Sequence, residues 1–89
     1  MITISLPPQL RGLASGATRI EVEATTLGAA LDELHKLAPM IRSQIFDEGN
    51  NIRPFAALFV NDRQFSHIDL MKPIDQGSRI LIVIAVAGG

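Results

Sequence analysis

The sequence predicts an α+β fold, in which one main helix crosses a mixed sheet of four to five strands and a short second helix follows it. Three observations predict this fold. Two stretches alternate apolar and polar residues as half-buried strands do, one stretch repeats leucine and alanine at helical spacing, and two later runs are apolar enough for interior strands. With 89 residues, the chain is expected to form a single domain over 1–89.

The first two strands are predicted to form a hairpin. Residues 1–6 and 19–24 each alternate with a period of two, which places one apolar row of each strand towards the core. Pro7 and Pro8 end the first strand, because proline lacks the backbone N–H that a sheet requires. The intervening stretch 9–18 contains two glycines, and we expect a turn-rich connection there without regular structure.

The main helix has the most regular pattern in the chain. Thr25 or Thr26 can cap its N-terminus, since a threonine hydroxyl accepts a hydrogen bond from a free N–H of the first turn. Asp32 and Lys36 lie four residues apart and are predicted to occupy the outer face. Apolar residues at helical spacing are predicted to face the core, and they are Leu27, Ala30, Leu31, Leu34 and Leu37.

A short second helix is predicted after Pro39, because proline ends one helix and is favoured in the first turn of the next. Ile41 and Ile45, four residues apart, should face the core from this helix. The polar residues 47–51 then predict a surface loop.

Two apolar runs in the second half predict interior strands. Residues 80–86 consist of Ile, Leu, Val and Ala, and such a run is typical of a strand buried on both faces. Residues 55–60 are also apolar on both faces, so they predict either an interior strand or one side of a partner surface. Asn61 and Asp62 supply a turn, and 64–70 is a weak strand. The first and last strands should lie side by side and parallel, which makes this a β-grasp arrangement.

The composition argues against several classes of partner and several kinds of active site. The chain has a net charge of −1 and no basic run, which argues against nucleic acid and anionic membranes as partners. It has no cysteine, and its two histidines, His35 and His67, lack the spacing of metal ligands, so we predict no metal site and no catalytic residues. No segment is as long and apolar as a membrane-spanning helix, and a cytoplasmic location is expected.

The last residues of the sequence point to a different kind of functional group. Gly88 and Gly89 directly follow the last apolar strand, and a glycine pair can lie extended in a slot too narrow for side chains. We expect residues 86–89 to form a flexible tail whose terminal Gly89 carboxylate reacts in a partner enzyme. Val86, Ala87 and Gly88 would be recognised with it. The alternatives are a frayed end without function, or the boundary of an expressed fragment.

These features together resemble a known family. The residues that carry the resemblance are Ala85, Val86, Ala87, Gly88 and Gly89 at the end, Leu6, Pro7, Pro8, Leu10 and Arg11 near the start, Thr26, Leu27 and Gly28 at the helix, and Val60, Asn61, Asp62 and Gly77 before the last strand. They are similar to those of ubiquitin-like sulfur carrier proteins of the MoaD/ThiS family. The likeness is greatest to CysO-type carriers of cysteine biosynthesis, which share the Ala-Val-Ala-Gly-Gly ending.

The resemblance implies a carrier that is not itself an enzyme. A ubiquitin-activating-type adenylyltransferase and sulfurtransferase would use ATP to adenylate the Gly89 carboxylate. Sulfur from a persulfide donor would then convert it into a thiocarboxylate. A cysteine-synthase-like or molybdopterin-synthase-like enzyme would accept the sulfur, and a metalloprotease that trims or releases the C-terminus is a further candidate partner. No cofactor would be bound by the chain itself.

Two questions stay open at the level of sequence. The same activated terminus would serve a ubiquitin-like modifier joined through Gly89 to lysine, or the small subunit of a molybdopterin synthase, and a module with an inert terminus is a third alternative. Phe55, Ala57 and Phe59 share one face of their strand by alternation. That face could fill the core, or it could be a partner-docking patch, since aromatic residues are enriched at interface cores.

Overall fold

The computed structural model describes residues 1–66 and 69–85, and within them five strands form one mixed sheet. The strands are β1 (Ile2–Ser5), β2 (Arg19–Val22), β3 (Ala56–Val60), β4 (Arg63–Phe65) and β5 (Arg79–Ile84). Their order across the sheet is β2-β1-β5-β3-β4, with β1 and β5 parallel and the other neighbours antiparallel. The predicted β-grasp fold, with parallel first and last strands at its centre, is confirmed.

Helices account for most of the remaining regular structure in the described residues. They are α1 (Pro8–Arg11), followed by a 3-10 turn at Gly12–Ala14, α2 (Leu27–Leu37) and α3 (Pro39–Ile45). The helix α1 was not predicted. The two glycines of 9–18 indicated a turn-rich connection, yet Pro8 occupies the first turn of a helix, where its missing N–H costs nothing. Leu10 is buried from this helix and fixes it against the core.

The main helix α2 matches its prediction except at one end. Thr26 is the cap, and its Oγ1 accepts a hydrogen bond of 3.0 Å from the Ala29 amide. Four of the five predicted core residues are buried, but Leu37 is 63% exposed because the helix ends there and the chain turns into α3. Asp32 and Lys36 are exposed as predicted, and there Lys36 contacts Glu33 while Asp32 contacts Arg42 of α3.

The core lies between α2, α3 and one face of the sheet, which we call the covered face. Its fully buried strand residues are Ile2, Ile4, Leu58, Ile80 and Ile82. Leu27 and Leu34 of α2 and Ile41 of α3 are equally buried against them, so the predicted inward face of α3 is confirmed. Each such side chain stabilises the fold by roughly 1.5–3 kcal/mol relative to an exposed position.

The segment after β4 fastens the N-terminus of α2. The Gly28 amide donates to the Leu70 carbonyl at 2.7 Å, and the Ile74 amide donates to the Thr25 carbonyl at 2.9 Å. A Cβ at Gly28 would lie 2.9 Å from the Leu70 oxygen, so the close approach requires glycine at this position. Free amides of the first helical turn thereby find partners outside the helix.

The turn between β3 and β4 fastens the start of β5. Asn61 and Asp62 both have positive φ, as a tight hairpin turn requires, which confirms the predicted turn. Asn61 Oδ1 accepts from the Arg79 amide at 2.9 Å, and its Nδ2 donates to the hydroxyl of the buried Ser78 at 3.2 Å. Within the described residues of the predicted weak strand 64–70, the regular strand is the short edge strand β4, which ends at Phe65.

Candidate functional site

The tail residues proposed to carry the chemistry lie outside the described part of the chain. These are Val86, Ala87, Gly88 and Gly89, and His67 lies outside it as well. The structure does describe the point from which the tail starts. That point is Ala85, the residue after β5, so the site can be built up from the surface around Ala85.

Ala85 is held by β3 through the backbone. Its amide donates to the Phe55 carbonyl at 2.7 Å, which extends the β3–β5 pairing by one residue beyond Ile84. On the opposite side of β5, the Ile84 carbonyl accepts a hydrogen bond from the side-chain Nε2 of Gln9, at 3.3 Å. The start of the tail is therefore attached to two different elements of the fold.

The face of β5 opposite the helices is exposed, contrary to the prediction that this strand is buried on both faces. Ile80 and Ile82 are fully buried, whereas Leu81 is 45% and Val83 is 37% exposed. The prediction was wrong because an apolar run shows only that neither face is polar. It does not show that a second layer exists to cover both faces, and α2 and α3 cover one.

The exposed side of β3 continues the same surface. Phe59 lies opposite Leu81 and Ala57 opposite Val83 in the strand pairing. Phe55 is 43% exposed, while Ala56, Leu58 and Val60 point to the covered face. We call this surface the open-face strip, and its residues are Phe55, Ala57, Phe59, Leu81, Val83 and Ala85.

The predicted docking residues thus share one surface. Phe55, Ala57 and Phe59 lie side by side with Leu81 and Val83. Phe55 is exposed, Ala57 and Phe59 are half-buried, and none of the three belongs to the core cluster, so their role in docking stays a prediction. Leu81 and Val83 were not among the predicted docking residues. The signal that could have found them is alternation in β5, because Ile80 and Ile82 occupy one face and Leu81 and Val83 the other.

Charged residues border the far end of the strip rather than its middle. A cleft of about 440 Å³ at that end is lined by Phe59 and Leu81 together with Asp62 and Arg79. Across the sheet from Leu81 lie Ser5 and then Arg19, so the side towards β2 is polar. A partner surface that fits this arrangement is apolar in the middle and polar at its margin.

The other arginines that flank strands or the short helix do not line this cleft. Arg11 Nε donates to the Leu6 carbonyl at 3.2 Å, and Arg53 Nε donates to the Ser43 carbonyl at 2.9 Å. Arg63 lies opposite Val60, whose side chain points to the covered face, so it does not flank the strip. Arg79 is the arginine that lines the cleft at the end of the strip.

Two acidic residues, Asp47 and Asp69, have local structural roles. Asp47 Oδ1 accepts from the amides of Gly49 and Asn51 at 2.9 and 3.0 Å, which orders the loop after α3. Lys72, together with the Ser66 amide, lowers the pKa of Asp69 to about 2. Among the described residues no cluster of three or more His, Cys, Asp or Glu could hold a metal ion. None of the helices described is long and apolar enough to cross a membrane.

Comparison with known proteins gives a consistent picture of the fold. No family model matches the chain, and no curated protein matches it. Among solved structures, a chain of the BexX/CysO complex from Amycolatopsis orientalis is 25% identical, with full coverage of both chains and a TM-score of 0.87. CysO from Mycobacterium tuberculosis is 28% identical over 97% of this chain and 100% of its own, with a TM-score of 0.85.

A third structure shows the fold alone. It is small archaeal modifier protein 1 from Methanosarcina acetivorans, which is 20% identical over 99% of this chain and 95% of its own, with a TM-score of 0.80. The predicted resemblance is confirmed by these neighbours. Over its whole length the chain resembles the ubiquitin-like sulfur carriers, CysO-type carriers among them.

Proposed function

We propose that this protein is a sulfur carrier whose Gly89 carboxylate is converted into a thiocarboxylate. One observation carries the proposal. The sequence continues from the end of β5 through three small or apolar residues, Ala85, Val86 and Ala87, to the Gly88-Gly89 pair. It does so in a chain that matches the M. tuberculosis CysO over 97% of this chain and 100% of that protein. The proposal requires that the mature protein ends at Gly89, which its test measures directly.

The chemistry divides between the carrier and its partners. A carboxylate is a poor electrophile, so an activating enzyme first lets a Gly89 oxygen attack the α-phosphorus of ATP, and pyrophosphate leaves. The terminal sulfur of an enzyme persulfide then attacks the acyl carbon, and AMP leaves. A second thiol attacks the enzyme's sulfur of the resulting acyl disulfide, which releases the thiocarboxylate and forms a disulfide. The carrier supplies the acyl group and the partners supply the catalytic residues.

The open-face strip is proposed as the surface that docks the activating enzyme. Its six residues are apolar, and contiguous exposed apolar surface commonly marks an interaction site. Phe55 and Phe59 provide the aromatic side chains that dominate interface energetics. The A. orientalis chain comes from a complex with a second protein, BexX, which supports a stable complex for a carrier of this shape.

The position of the strip suits delivery of the tail. The strip ends at Ala85, so a partner that binds it lies beside the first residue of the tail. Four further residues can span at most about 13 Å at roughly 3.3 Å per residue. The active site of the partner would then lie within that distance of its docking surface. The likeness to CysO favours cysteine as the sulfur-containing product. We place the reaction in the cytoplasm, where ATP is available.

The test is co-expression with the ubiquitin-activating-type enzyme of the same organism, followed by intact mass measurement. We expect a mass change equal to the exchange of one oxygen for sulfur, and loss of that change on deletion of Gly89. Gly12→Ala is a matched control, because Gly12 has helical dihedral angles and a Cβ there meets nothing within 4 Å. A Gly89 deletion variant that still acquires sulfur would refute the proposal.

A protein modifier would be activated through the same acyl adenylate. A second measurement distinguishes this function from that of a sulfur carrier. Conjugation to lysine leaves a Gly-Gly remnant on target peptides after tryptic digestion of cells. The likeness to an archaeal modifier protein concerns the fold, so it does not favour this role over the carrier. Abundant remnants that depend on Gly89, without any thiocarboxylate, would assign the chain to the modifiers.

A further inference from the structure

We propose that Gln9 is a positioning residue that fixes the direction in which the tail leaves the sheet. This inference rests on the proposed function, because it concerns how the same terminus reaches a partner. Gln9 is exposed on the short helix α1, 75 positions away from Ile84 in sequence, and its side-chain amide donates to the Ile84 carbonyl. No other side chain of the described residues hydrogen-bonds to the last two residues before the tail.

The need for such a contact follows from the lengths of the strands. The ladder between β1 and β5 ends at the pair Ser5 and Leu81, whereas β5 continues to Ile84. Beyond Leu81, the β1 side of β5 therefore has no strand beside it within the described residues. The chain has turned away at Pro7 and Pro8 to form α1.

The direction of the backbone groups places Ile84 on that unpaired side. Arg79 and Ala85 both direct backbone groups to the β3 side, where they bond Asn61 and Phe55. Since successive residues of a strand direct their N–H and C=O groups to opposite neighbours, the Ile84 carbonyl points to the β1 side. The Gln9 amide bonds this carbonyl on the side where a longer β1 strand would have paired with the end of β5.

Gln9 is presented from a rigid support. Pro7 and Pro8 restrict the backbone immediately before it, and the Leu10 side chain next to it is buried in the core. The Arg11 Nε also donates to the Leu6 carbonyl, which ties the far end of α1 back to β1. A side chain held this way confines the end of β5 from the β1 side, while Phe55 confines it from the β3 side.

The first experiment measures hydrogen exchange by NMR on the isolated protein. Replacement by Gln9→Ala should speed exchange of the Ala85 amide by about twofold to tenfold, the range expected for one exposed hydrogen bond. Exchange at Ile82 and the melting temperature should stay unchanged. Gln9→Glu removes the donor and should behave like the alanine variant, whereas Gln9→Lys keeps a donor of similar reach and should restore protection. The matched control is Gln44→Ala, an exposed glutamine on α3.

The second experiment measures ATP-dependent charging by the activating enzyme. If the tail is less confined, Gln9→Ala should lower kcat/KM by about twofold to tenfold. The loss should be mainly in kcat, because the open-face strip that binds the enzyme is unchanged. Unchanged exchange at Ala85 would overturn the inference, and faster exchange with unchanged charging would overturn the positioning role. If the unmodified protein is not charged at all, the proposed function fails, and the exchange result alone decides whether Gln9 confines the end of β5.

Discussion

The two faces of strands β3 and β5 have similar apolar character, yet only one of these faces is covered. On the covered face Leu58 and Ile82 are completely buried beneath α2 and α3. On the other face their neighbours Phe59 and Leu81 form the middle of the open-face strip, where Leu81 is 45% exposed. Composition alone does not distinguish the faces, because β3 and β5 carry apolar residues at nearly every position.

The two faces illustrate two different reasons why a strand carries apolar residues. A residue on the covered face lowers the free energy of the folded chain, because folding removes it from water. A residue on the open-face strip gains little from folding and would gain from contact with another molecule. Substitutions on the covered face are therefore expected to change stability, and substitutions in the open-face strip are expected to change binding.

The largest effect is expected from a matched pair of alanine substitutions in β5. Ile82→Ala should lower the free energy of unfolding by about 2–5 kcal/mol, because it removes buried methyl groups and leaves a cavity. Leu81→Ala should lower it by less than about 1 kcal/mol, since that side chain stays in contact with water when the chain folds. Urea denaturation measures both values. Equal losses for the two variants would mean that the open-face strip is covered after all.

The attachment of α2, which covers the core, is tested at Gly28. Gly28→Ala places a Cβ 2.9 Å from the Leu70 carbonyl oxygen, so the backbone must shift and the hydrogen bond between them must weaken. We expect a loss of about 1–3 kcal/mol in the free energy of unfolding, despite the higher helix propensity of alanine.

Gly12→Ala is the matched control for this substitution. Gly12 has helical dihedral angles and open space around it, so alanine there should be neutral or stabilise by about 0.4–1 kcal/mol. If both alanine variants unfold at the same urea concentration as the unchanged protein, the segment at Leu70 does not hold α2 in place.

The open-face strip is tested through binding rather than stability. Phe59→Ser should weaken binding to the activating enzyme by at least about tenfold, or about 1.4 kcal/mol, because an aromatic side chain at the centre of the strip is replaced by a small polar one. The matched control is Gln64→Ala, at the position directly opposite Phe59 on β4, which should change affinity little. Isothermal titration calorimetry would measure both, and equal affinities for Phe59→Ser and the unchanged protein would exclude the strip as the docking surface.

Much of the fold follows from the sequence because local patterns determine it. Helix α2 repeats apolar residues at helical spacing and has Thr26 before it, and both signals are contained in a short stretch. The parallel pairing of β1 and β5 follows from two apolar strands joined through a helical crossover. These elements were predicted because their signals do not depend on what packs against them.

The errors have a common physical cause, which is that burial depends on distant parts of the chain. Leu37 continues the helical repeat, but it is exposed because the chain turns at Pro39. Leu81 and Val83 belong to an apolar run, but no layer lies over them among the described residues. Gln9 has no local signal at all, since its contact to Ile84 joins positions 75 residues apart.

The smallest effect is expected at Asp69, in the segment that fastens α2 to the sheet. Its carboxylate receives hydrogen bonds from Lys72 Nζ at 2.8 Å and from the Ser66 amide at 2.9 Å. These contacts lower its pKa from the usual 3.8 to about 2. The effect should be small because the Lys72 ammonium group is exposed to solvent, which weakens such pairs.

The sign of the pH dependence follows from the lowered pKa. The folded state holds the Asp69 carboxylate ionised more readily than the unfolded state, so its contribution is complete above about pH 4 and is lost as the pH falls through about 2. The stability difference between the unchanged protein and Asp69→Asn should therefore be constant near pH 5 and shrink towards pH 2. Lys72→Gln should narrow that difference, because it removes the main cause of the low pKa. A stability difference that stays constant down to pH 2 would show that the charge of Asp69 does not contribute. The attachment of this segment to α2 would then depend on the backbone hydrogen bonds of Gly28 and Ile74.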